Sequence, residues 1–575
     1  MQSLENTLAT IRNFRNLPPP SLALLSKRLG LRMSRAELAF CAKHYRGKGA
    51  ADDISIEELC LIDALACPTY PRLSKIAIGE LLTNHEDVAQ TYRDLINKLG
   101  ALGRDPQKPI TLQDVANASE RYIHAMSGHS ITEPIGIGGN HLSYAAHGLY
   151  TKLHLDCTDG GIDLLETLPV NLKGQAEYAD ALVLLSPLPE TAAQEYCHAV
   201  VSLLSDPLLG RHIHCIGDCT QKSIAHTVLS VSDGAVLNLA KLPEEMQSLD
   251  ALTTCTIATL LALPQSMLEA FVARAADCEI LLSYFGIVDH AGYLIIRNGK
   301  TTILNSNVGF LKSICFIRSY TLRLKDENDW CNFPDAVSSC VQLHTLQEAL
   351  PEDADPAEPV LRTMPPLRAH AAARVNTARA PYHSAMLCAA QAYCTAVAAG
   401  CDPSSITLHA RLFQADHSTI STQAADALAS LLGLYRFSME MAVPVHTEVD
   451  FKEQESGTLV LANAPSDLVI PAHFSGNGRV YLLKPLYQAD TFPVWEDVNA
   501  MISYLRTMML QGKISAARSL GDMTVQQALD LMSQKGHAAI INPDLAALLQ
   551  SRFPCAFLVE GEDGLTGDLI AVTER

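Results

Sequence analysis

A short glycine-rich segment carries the residues whose types and spacing best suit ligand binding. The segment HSITEPIGIGGNH begins at His129, ends at His141 and contains Gly136, Gly138 and Gly139. Glycines can expose backbone N–H groups to an anion. The flanking imidazoles could contact the same anion or a substrate and move protons. An ordinary glycine-rich turn is the competing interpretation.

An aspartate at the end of a predicted strand is the second candidate. Asp218 follows Gly217 and precedes the run CTQKS, and its carboxylate could bind a cation. A carboxylate in this place also caps the helix that follows. Lys222 in the same run is either an anion contact or a solvated side chain. The sequence leaves these interpretations open.

Two further patterns suggest cation binding, each with a structural alternative. His212, His214 and Cys219 lie close together, and zinc favours His and Cys ligands, but no second ligand pair is evident. In a strand, His212 and His214 would share one face, which also fits a buried strand with hydrogen-bonded histidines. Glu448 and Asp450 alternate along another predicted strand, where they either bind a cation or line an exposed edge.

The elements that position these residues occur twice along the chain. Six landmarks, set by Gly and Pro at the ends of strands and helices, recur in the same order with offsets of 298 to 304 residues. The predicted strands are 180–187, 212–216, 235–238, 478–485, 514–519 and 538–542, and helices are predicted at 191–204 and 495–510. Because Gly and Pro punctuate elements, the shared order predicts a shared topology and two α/β halves.

The rest of the chain divides by composition. The predicted domains are a helical linker-like domain at 1–125, a first α/β half at 126–345, an acidic Pro-rich linker at 346–365 and a second α/β half at 366–575. Within the first domain the prolines at 18–20 are expected to break a helix, and helices are expected to open after Ser34 and Ser55. A surface loop within one domain is the alternative interpretation of the linker.

Composition excludes several classes of function. The chain has 575 residues, a formal net charge of −19 and 48% hydrophobic residues, which is typical of a globular protein with several domains. The negative charge argues against nucleic acid and anionic membranes as partners. We find no signal-peptide pattern and no long uncharged apolar stretch. Sixteen scattered cysteines without a C-x-x-C pair predict reduced thiols and a cytoplasmic protein.

Short motifs along nearly the whole chain resemble phosphoribosylformylglycinamidine synthase, most closely its long single-chain form. They are GLRMSRAELAFC at 30–41, KPITLQD at 108–114, SDP at 205–207, PYHSA at 381–385, AAGCD at 398–402, LLG at 431–433 and GKISA at 512–516. The resemblance implies an α/β (α+β) fold with two aminoimidazole-ribonucleotide-synthetase-like halves behind a helical linker domain. It also implies ATP and Mg²⁺ for an amidation with ammonia, although we expect this shorter chain to lack the family's glutaminase domain.

The residues that the family uses for this chemistry are mostly replaced. Its first histidine box should follow a helix that ends near Asp63, but residues 64–72 contain no histidine. At the family's phosphate box Asp218 remains without the accompanying glycines, and Ser230 stands where a glutamate is expected. The resemblance leaves as nucleotide contacts Gly136, Gly138, Gly139 and Asp218, as substrate or anion contacts His129 and His141, and as metal ligand Asp218.

We therefore expect a phosphoribosylformylglycinamidine synthase-like protein of purine-biosynthesis ancestry without efficient catalysis. Loss of one electrostatic partner often lowers a rate by about 10²–10³, so joint loss is hard to reconcile with turnover. Such a paralogue would bind or assemble, as a homodimer or with a purine-pathway protein. Two alternatives stay open: a diverged ATP-dependent amidoligase that uses external ammonia, and a metal-binding module built on His212, His214 and Cys219.

Overall fold

The computed structural model describes most of the chain. The described residues are 10–46, 52–68, 72–128, 135–138, 148–157, 160–169, 175–191, 193–204, 206, 208–219, 223–254, 256–325, 338–344, 368–376, 380–415, 419–453, 456–465, 468–476, 478–488, 492–521, 523–533, 539–541 and 545–573. They form two compact units, unit 1 with Met1–Lys75, Glu133–His154 and Asp163–Arg318, and unit 2 with Ile76–Thr132, Leu155–Ile162 and Ser319–Arg575. No helix among them has the length and apolarity needed to span a membrane.

The first elements of unit 1 confirm two predicted helix starts. They are β1 (Thr10–Ile11), α1 (Pro19–Leu29), α2 (Arg35–His44), β2 (Ile54–Ser55) and α3 (Ile56–Ala66). The side chain of Ser34 accepts from the Glu37 N–H at the start of α2, and Ser55 accepts from the Glu58 N–H at the start of α3. The expectation of a proline break was wrong. Prolines begin α1, because the first turn of a helix needs no N–H donor.

Unit 2 starts with one strand and three helices, and a small sheet follows in the chain. The elements are β3 (Ile76–Leu82), α4 (Glu86–Ala101), α5 (Leu112–Ala116), α6 (Ala118–Ser127), β4 (Ile135–Gly138), β5 (Gly148–Cys157) and β6 (Gly160–Pro169). The last three strands form a sheet in the order β4-β6-β5. The glycine-rich segment thus contributes a strand to this sheet.

A seven-stranded sheet flanked by helices forms the main part of unit 1. Its elements are β7 (Ala181–Ser186), α7 (Ala193–Leu204), β8 (Cys215–Asp218), α8 (Ile224–Val231), β9 (Ala235–Asn238), α9 (Leu249–Thr253), β10 (Thr259–Leu263), α10 (Leu268–Asp277), β11 (Leu281–Val288), β12 (Tyr293–Asn298), β13 (Thr301–Asn307) and α11 (Val308–Ser313). The strand order is β13-β12-β9-β11-β7-β10-β8. Because strand side chains alternate, β7 serves two cores: Leu182 and Leu184 enter one, while Ala181, Val183 and Leu185 enter the other.

Two long helices accompany the next sheet of unit 2. The elements are β14 (Arg318–Arg323), β15 (Ser338–His344), β16 (Arg368–Asn376), α12 (Pro381–Ala398), β17 (Thr407–Ala415), α13 (Ile420–Met441), β18 (Val445–Glu453) and β19 (Gly457–Pro465). β14 pairs with β3, and the others form a sheet in the order β15-β16-β19-β17-β18. α12 and α13 cross closely at Gly433, where a Cβ atom would lie 2.1 Å from the Tyr382 carbonyl oxygen. This close approach explains the glycine of the LLG motif.

A five-stranded sheet completes unit 2. Its elements are β20 (Arg479–Leu483), α14 (Trp495–Leu510), β21 (Ile514–Ser519), α15 (Val525–Met532), β22 (Ala539–Ile541), α16 (Ala546–Leu549), β23 (Phe557–Gly561) and β24 (Asp568–Thr573). The strand order is β21-β23-β20-β24-β22. The helix predicted at 495–510 and the strand predicted at 514–519 are confirmed as α14 and β21.

The two α/β sheets share one strand order. Five neighbours of the first sheet run β8-β10-β7-β11-β9, and the second runs β21-β23-β20-β24-β22, which is the same order for strands at corresponding places in the chain. All of these neighbouring strands are antiparallel in both sheets. One predicted strand was wrong: 212–216 begins only at Cys215, because Gly210–His212 form a 3₁₀ turn. The predicted domain boundaries stay predictions, and the acidic linker at 346–365 lies outside the described residues.

Candidate functional site

The described ligand candidates lie in two different sheets. Gly136 and Gly138 belong to β4, where they pair with residues of β6. Asp218 is the last residue of β8, and its backbone pairs with Thr259. Four candidates lie outside the described part of the chain: His129, Gly139, His141 and Lys222. Positions 136 and 138 are therefore part of a paired strand, and a role in nucleotide binding stays a prediction.

A thiol and a guanidinium lie at the end of α3, where the family would have its first histidine box. Cys67 is 4% exposed, and Arg318 Nη2 donates to its Sγ at 2.8 Å. Burial raises the pKa of this thiol to about 12, although the nearby Arg318 charge opposes the shift. The thiol therefore stays protonated at neutral pH and offers neither a nucleophile nor a base.

The same guanidinium is neutralised by a carboxylate of α2. Arg318 donates to Glu37 through Nε at 3.0 Å and through Nη2 at 2.7 Å. Burial by itself would raise the pKa of Glu37, but hydrogen bonds from Arg318 and from the Ser34 N–H outweigh it and hold that pKa below its ordinary value. Because Glu37 also caps α2, this ion pair is part of the local framework of unit 1.

A buried histidine reaches the same end of α3 from α8. His226 is 4% exposed, and its Nε2 lies 2.9 Å from the Leu65 carbonyl oxygen, which requires a proton on Nε2. Its Nδ1 lies 2.8 Å from Ser223 Oγ, and in the neutral ring this nitrogen accepts the hydroxyl proton. Both ring nitrogens are thus used in the framework, and the imidazole has no free nitrogen for proton transfer to a substrate.

The sheet of β15–β19 has one face that combines charged and polar side chains. Along β17, His409 and Arg411 point to this face, while Leu408, Ala410 and Leu412 point to the other. Both polar residues are almost fully buried, at 3% and 2% exposure. The Arg411 guanidinium lies over the Phe413 ring, 5.5 Å from its centroid. A buried cation needs anionic or polar surroundings, so this face is suited to hold a polar group rather than an apolar one.

The edge of this sheet is joined to α6 by an imidazole and a carboxylate. His446 on β18 lies beside His409, with ring centroids 5.9 Å apart. Its Nδ1 is 3.2 Å from Glu120 Oε2. The hydrogen bond with Glu120 raises the pKa of His446; burial opposes the shift, and the charges of Glu120 and Glu448 add to it. The pair therefore holds a proton more firmly than a free imidazole does.

None of the predicted cation sites gathers enough ligands among the residues that the structure describes. There, no group of three or more His, Cys, Asp or Glu side chains could hold a metal ion. His212 lies in the 3₁₀ turn before β8, and His214 Nδ1 instead lies 2.8 Å from Asp180 Oδ2. Glu448 and Asp450 belong to β18, where the strand register sets them opposite Arg411 and Phe413. A role of Asp218 in binding a metal therefore stays a prediction.

Sequence reasoning missed most of these polar groups. Arg318 and Glu37 are far apart in the chain, and nothing local to either one indicates the other. The period-two pattern of TLHARL at 407–412 could have identified His409 and Arg411, because polar residues there alternate with apolar ones. His226 carried no signal beyond its place in an apolar helix.

Comparisons with known proteins give a likeness in structure alone. No family model matches the chain, and no curated protein matches it. PurL from Thermotoga maritima in complex with ADP is similar with a TM-score of 0.51 and 10% identity, over 96% of this chain and 99% of that chain. PurL from T. maritima in complex with ATP is similar with a TM-score of 0.51 and 9% identity, over 72% of this chain and 74% of that chain.

A further solved structure agrees with these two. Phosphoribosylformylglycinamidine synthase II from Thermotoga maritima has a TM-score of 0.51 and 9% identity, over 72% of this chain and 75% of that chain. At such low identity the likeness concerns the fold. The chain has the α/β fold of these solved structures, which confirms the predicted fold class.

Proposed function

We propose that this chain is a phosphoribosylformylglycinamidine synthase-like protein of purine-biosynthesis ancestry that no longer catalyses amidation and acts in binding or assembly. The observation that carries the proposal is the set of side-chain contacts at the end of α3. There Cys67 is buried, its pKa is raised to about 12, and Arg318 is held by Glu37. His226 does reach this place, but both of its ring nitrogens are engaged by Leu65 and Ser223, so the described residues offer no free imidazole where the family's histidine box would act.

The described residues near Asp218 add support. A Cβ atom on Gly217 would lie 2.3 Å from the Thr227 methyl carbon, so packing against α8 is enough to require this glycine. The N-terminus of α8 is capped by Ser223, which accepts from the His226 N–H. Packing and helix capping therefore account for the Gly-Asp landmark, and no phosphate ligand is needed to explain it.

The experiment is a direct assay with a matched positive control. The purified protein and T. maritima PurL are each given formylglycinamide ribonucleotide, ATP, Mg²⁺ and ammonium chloride, and ADP and amidine product are quantified. We expect turnover by PurL, and for this chain no ATP hydrolysis above the buffer value. Because the ammonia is supplied externally, the result does not depend on a glutaminase.

The alternative, a diverged amidoligase that uses external ammonia, predicts the opposite result in the same assay. Substrate-dependent ADP release that requires Mg²⁺ would contradict the non-catalytic proposal. Calorimetric titration with ATP and Mg²⁺ at millimolar concentration separates the two further, since an amidoligase must bind nucleotide before it can act. Light scattering over a range of protein concentrations tests the proposed homodimer in the same sample.

A further inference from the structure

A groove in unit 1 lies apart from every residue discussed as a relic of catalysis. It has a volume of about 890 Å³, which is within the range of small-molecule sites. Its walls are the outer face of the β12–β13 hairpin, the helix α11 and the end of α2. Across the hairpin, Tyr293 is opposite Asn307 and Ile295 is opposite Asn305, so these four side chains share one face.

The positive charge at the groove comes from Arg46, just after α2. Its Nη1 donates to the Tyr45 carbonyl at 3.0 Å and to the Lys43 carbonyl at 3.3 Å. These carbonyls belong to the C-terminal end of the helix, where a cation is favoured. Nε and Nη2 of Arg46 make no hydrogen bond with other described residues. The guanidinium is thus held through one nitrogen and keeps two donors for a ligand.

The imidazole of His44 is oriented beside it. His44 Nδ1 lies 2.9 Å from the Phe40 carbonyl oxygen, so this nitrogen carries a proton. The ring also packs on Phe40, with centroids 4.0 Å apart. Nε2 is the remaining nitrogen, which donates to an anion when the ring is protonated.

The opposite wall offers a flat apolar surface with neutral polar groups. Phe310 is fixed from behind by Tyr45, with ring centroids 6.4 Å apart. Tyr293 is 46% exposed, and the Asn305 amide makes no hydrogen bond with the described part of the chain. None of the eleven lining residues is acidic, although the chain as a whole carries a net charge of −19. The groove is therefore locally positive on a negative protein.

We propose that this groove binds a small aromatic anion, with its carboxylate or phosphate on Arg46 and its ring against Phe310 and Tyr293. A guanidinium whose Nε and Nη2 make no hydrogen bond with other described residues matches two oxygens of such a group. Aromatic side chains favour contact with a planar ring, and Asn305 can satisfy a polar substituent. The inference is independent of whether the chain catalyses amidation.

The test titrates the full-length protein with benzoate, phenyl phosphate and uncharged benzamide, followed by calorimetry and ligand-observed NMR. We expect benzoate or phenyl phosphate to bind at about millimolar concentration or better, as is usual for ligands of this size, and benzamide to bind at least about tenfold more weakly. Whichever anion binds more tightly identifies the head group that Arg46 prefers.

Two variants assign the binding to the groove. Arg46→Gln should weaken binding of the anion at least about tenfold. Arg35→Gln, at the exposed start of α2, should leave binding unchanged. Both arginines are exposed, so both variants should keep the melting temperature of the parent protein. Absence of binding by both anions, equal binding of benzamide, or an equal effect of the two variants would overturn the proposal.

Discussion

The two α/β sheets share a strand order but hold the segment that enters their central strand in different ways. Before β7, the carboxylate is in the segment itself: Asp180 accepts from the Glu177 N–H at 2.7 Å and lies 2.8 Å from His214 Nδ1. Before β20, the carboxylate comes from β23, where Glu560 accepts from the N–H groups of Ser475 at 2.6 Å and Gly476 at 3.1 Å. In each sheet, one buried carboxylate thus accepts hydrogen bonds from the segment before the central strand.

The strand register shows that the carboxylate has changed places between the two sheets: it is in the entering segment of the first and in the neighbouring strand of the second. Leu182 in β7 is opposite Ala262, and Val480 in β20 is opposite Glu560, so alanine and glutamate occupy the same place in the two sheets. The position of Asp180 corresponds to Gly478 in the second half. A Cβ atom on Gly478 would lie 2.7 Å from Glu560 Cγ, so the glutamate requires the glycine.

This difference helps to distinguish a carboxylate that supports the fold from one that takes part in catalysis or metal binding. Glu560 is fully buried and is also hydrogen-bonded by the hydroxyls of Ser515 and Thr573. A buried carboxylate in a fold of this kind could be interpreted as a remnant of a metal site. The reciprocal exchange indicates instead that each half needs an acceptor for the N–H groups of its entering segment, and that either neighbour can supply it.

The largest expected effect of a substitution is at the crossing of α12 and α13. We expect Gly433→Ala to lower the free energy of unfolding of unit 2 by about 3 kcal/mol or more, because the added methyl would meet a backbone carbonyl that cannot move away. Urea unfolding followed by Trp495 fluorescence measures this, in a Trp330→Phe background that leaves one tryptophan.

Gly100 provides the matched control for that variant. It lies in α4, and a Cβ atom there would meet nothing within 4 Å. We expect Gly100→Ala to raise the free energy of unfolding by up to about 1 kcal/mol, since alanine favours the helix. Equal behaviour of the two variants would mean that α12 and α13 do not cross at Gly433.

The reciprocal exchange of carboxylates is tested by moving one of them. Glu560→Ala should lower the free energy of unfolding by about 3 kcal/mol, because it leaves several buried donors without an acceptor. Gly478→Asp alone should also destabilise, since it places a side chain and a second charge against Glu560. The double variant, which copies the first half, should be more stable than the sum of the two single losses predicts.

A pH series and a surface control complete this test. Burial would raise the pKa of Glu560, but hydrogen bonds from Thr573 and Ser475 outweigh it and lower that pKa. Its contribution to stability is thus present above the unfolded pKa and is lost as the pH falls through the folded pKa. Glu562→Ala, at an exposed position next to β23, should change neither stability nor its pH dependence. Strict additivity of Glu560→Ala and Gly478→Asp would contradict the exchange.

The parts of the fold that local punctuation determines could be predicted from the sequence. The helix at 495–510 and the strand at 514–519 were predicted at their observed bounds, because Gly512 and Gly521 separate them from their neighbours. Recurrence of such landmarks also predicted a shared topology, and the common strand order agrees with it. The strand at 212–216 failed because alternating polar residues can form a 3₁₀ turn as readily as a strand.

The contacts of the candidate site could not be predicted in this way. The Arg318–Glu37 pair and the bond between His226 and Leu65 join residues that are 281 and 161 positions apart. Which distant groups meet depends on how the sheet brings α2, α3 and α8 together, and no local pattern carries that information. Comparison of motifs in the sequence could therefore not predict which distant groups meet at the end of α3.

The smallest expected effect concerns the contact between α6 and β18, the edge strand of the β15–β19 sheet. Glu120 raises the pKa of His446, so the stability that this pair contributes is full below the unfolded pKa and is lost as the pH rises through the folded pKa. His446 and Glu120 side chains are 44% and 30% exposed, so solvent screens the pair and its contribution stays below about 1 kcal/mol. Glu120→Gln should lower the pKa of His446 in an NMR titration, and should destabilise slightly at pH 6 but not at pH 9. Glu448→Gln removes a weaker, more distant charge and should move that pKa less; an equal or larger shift would mean that α6 does not hold β18 through this pair.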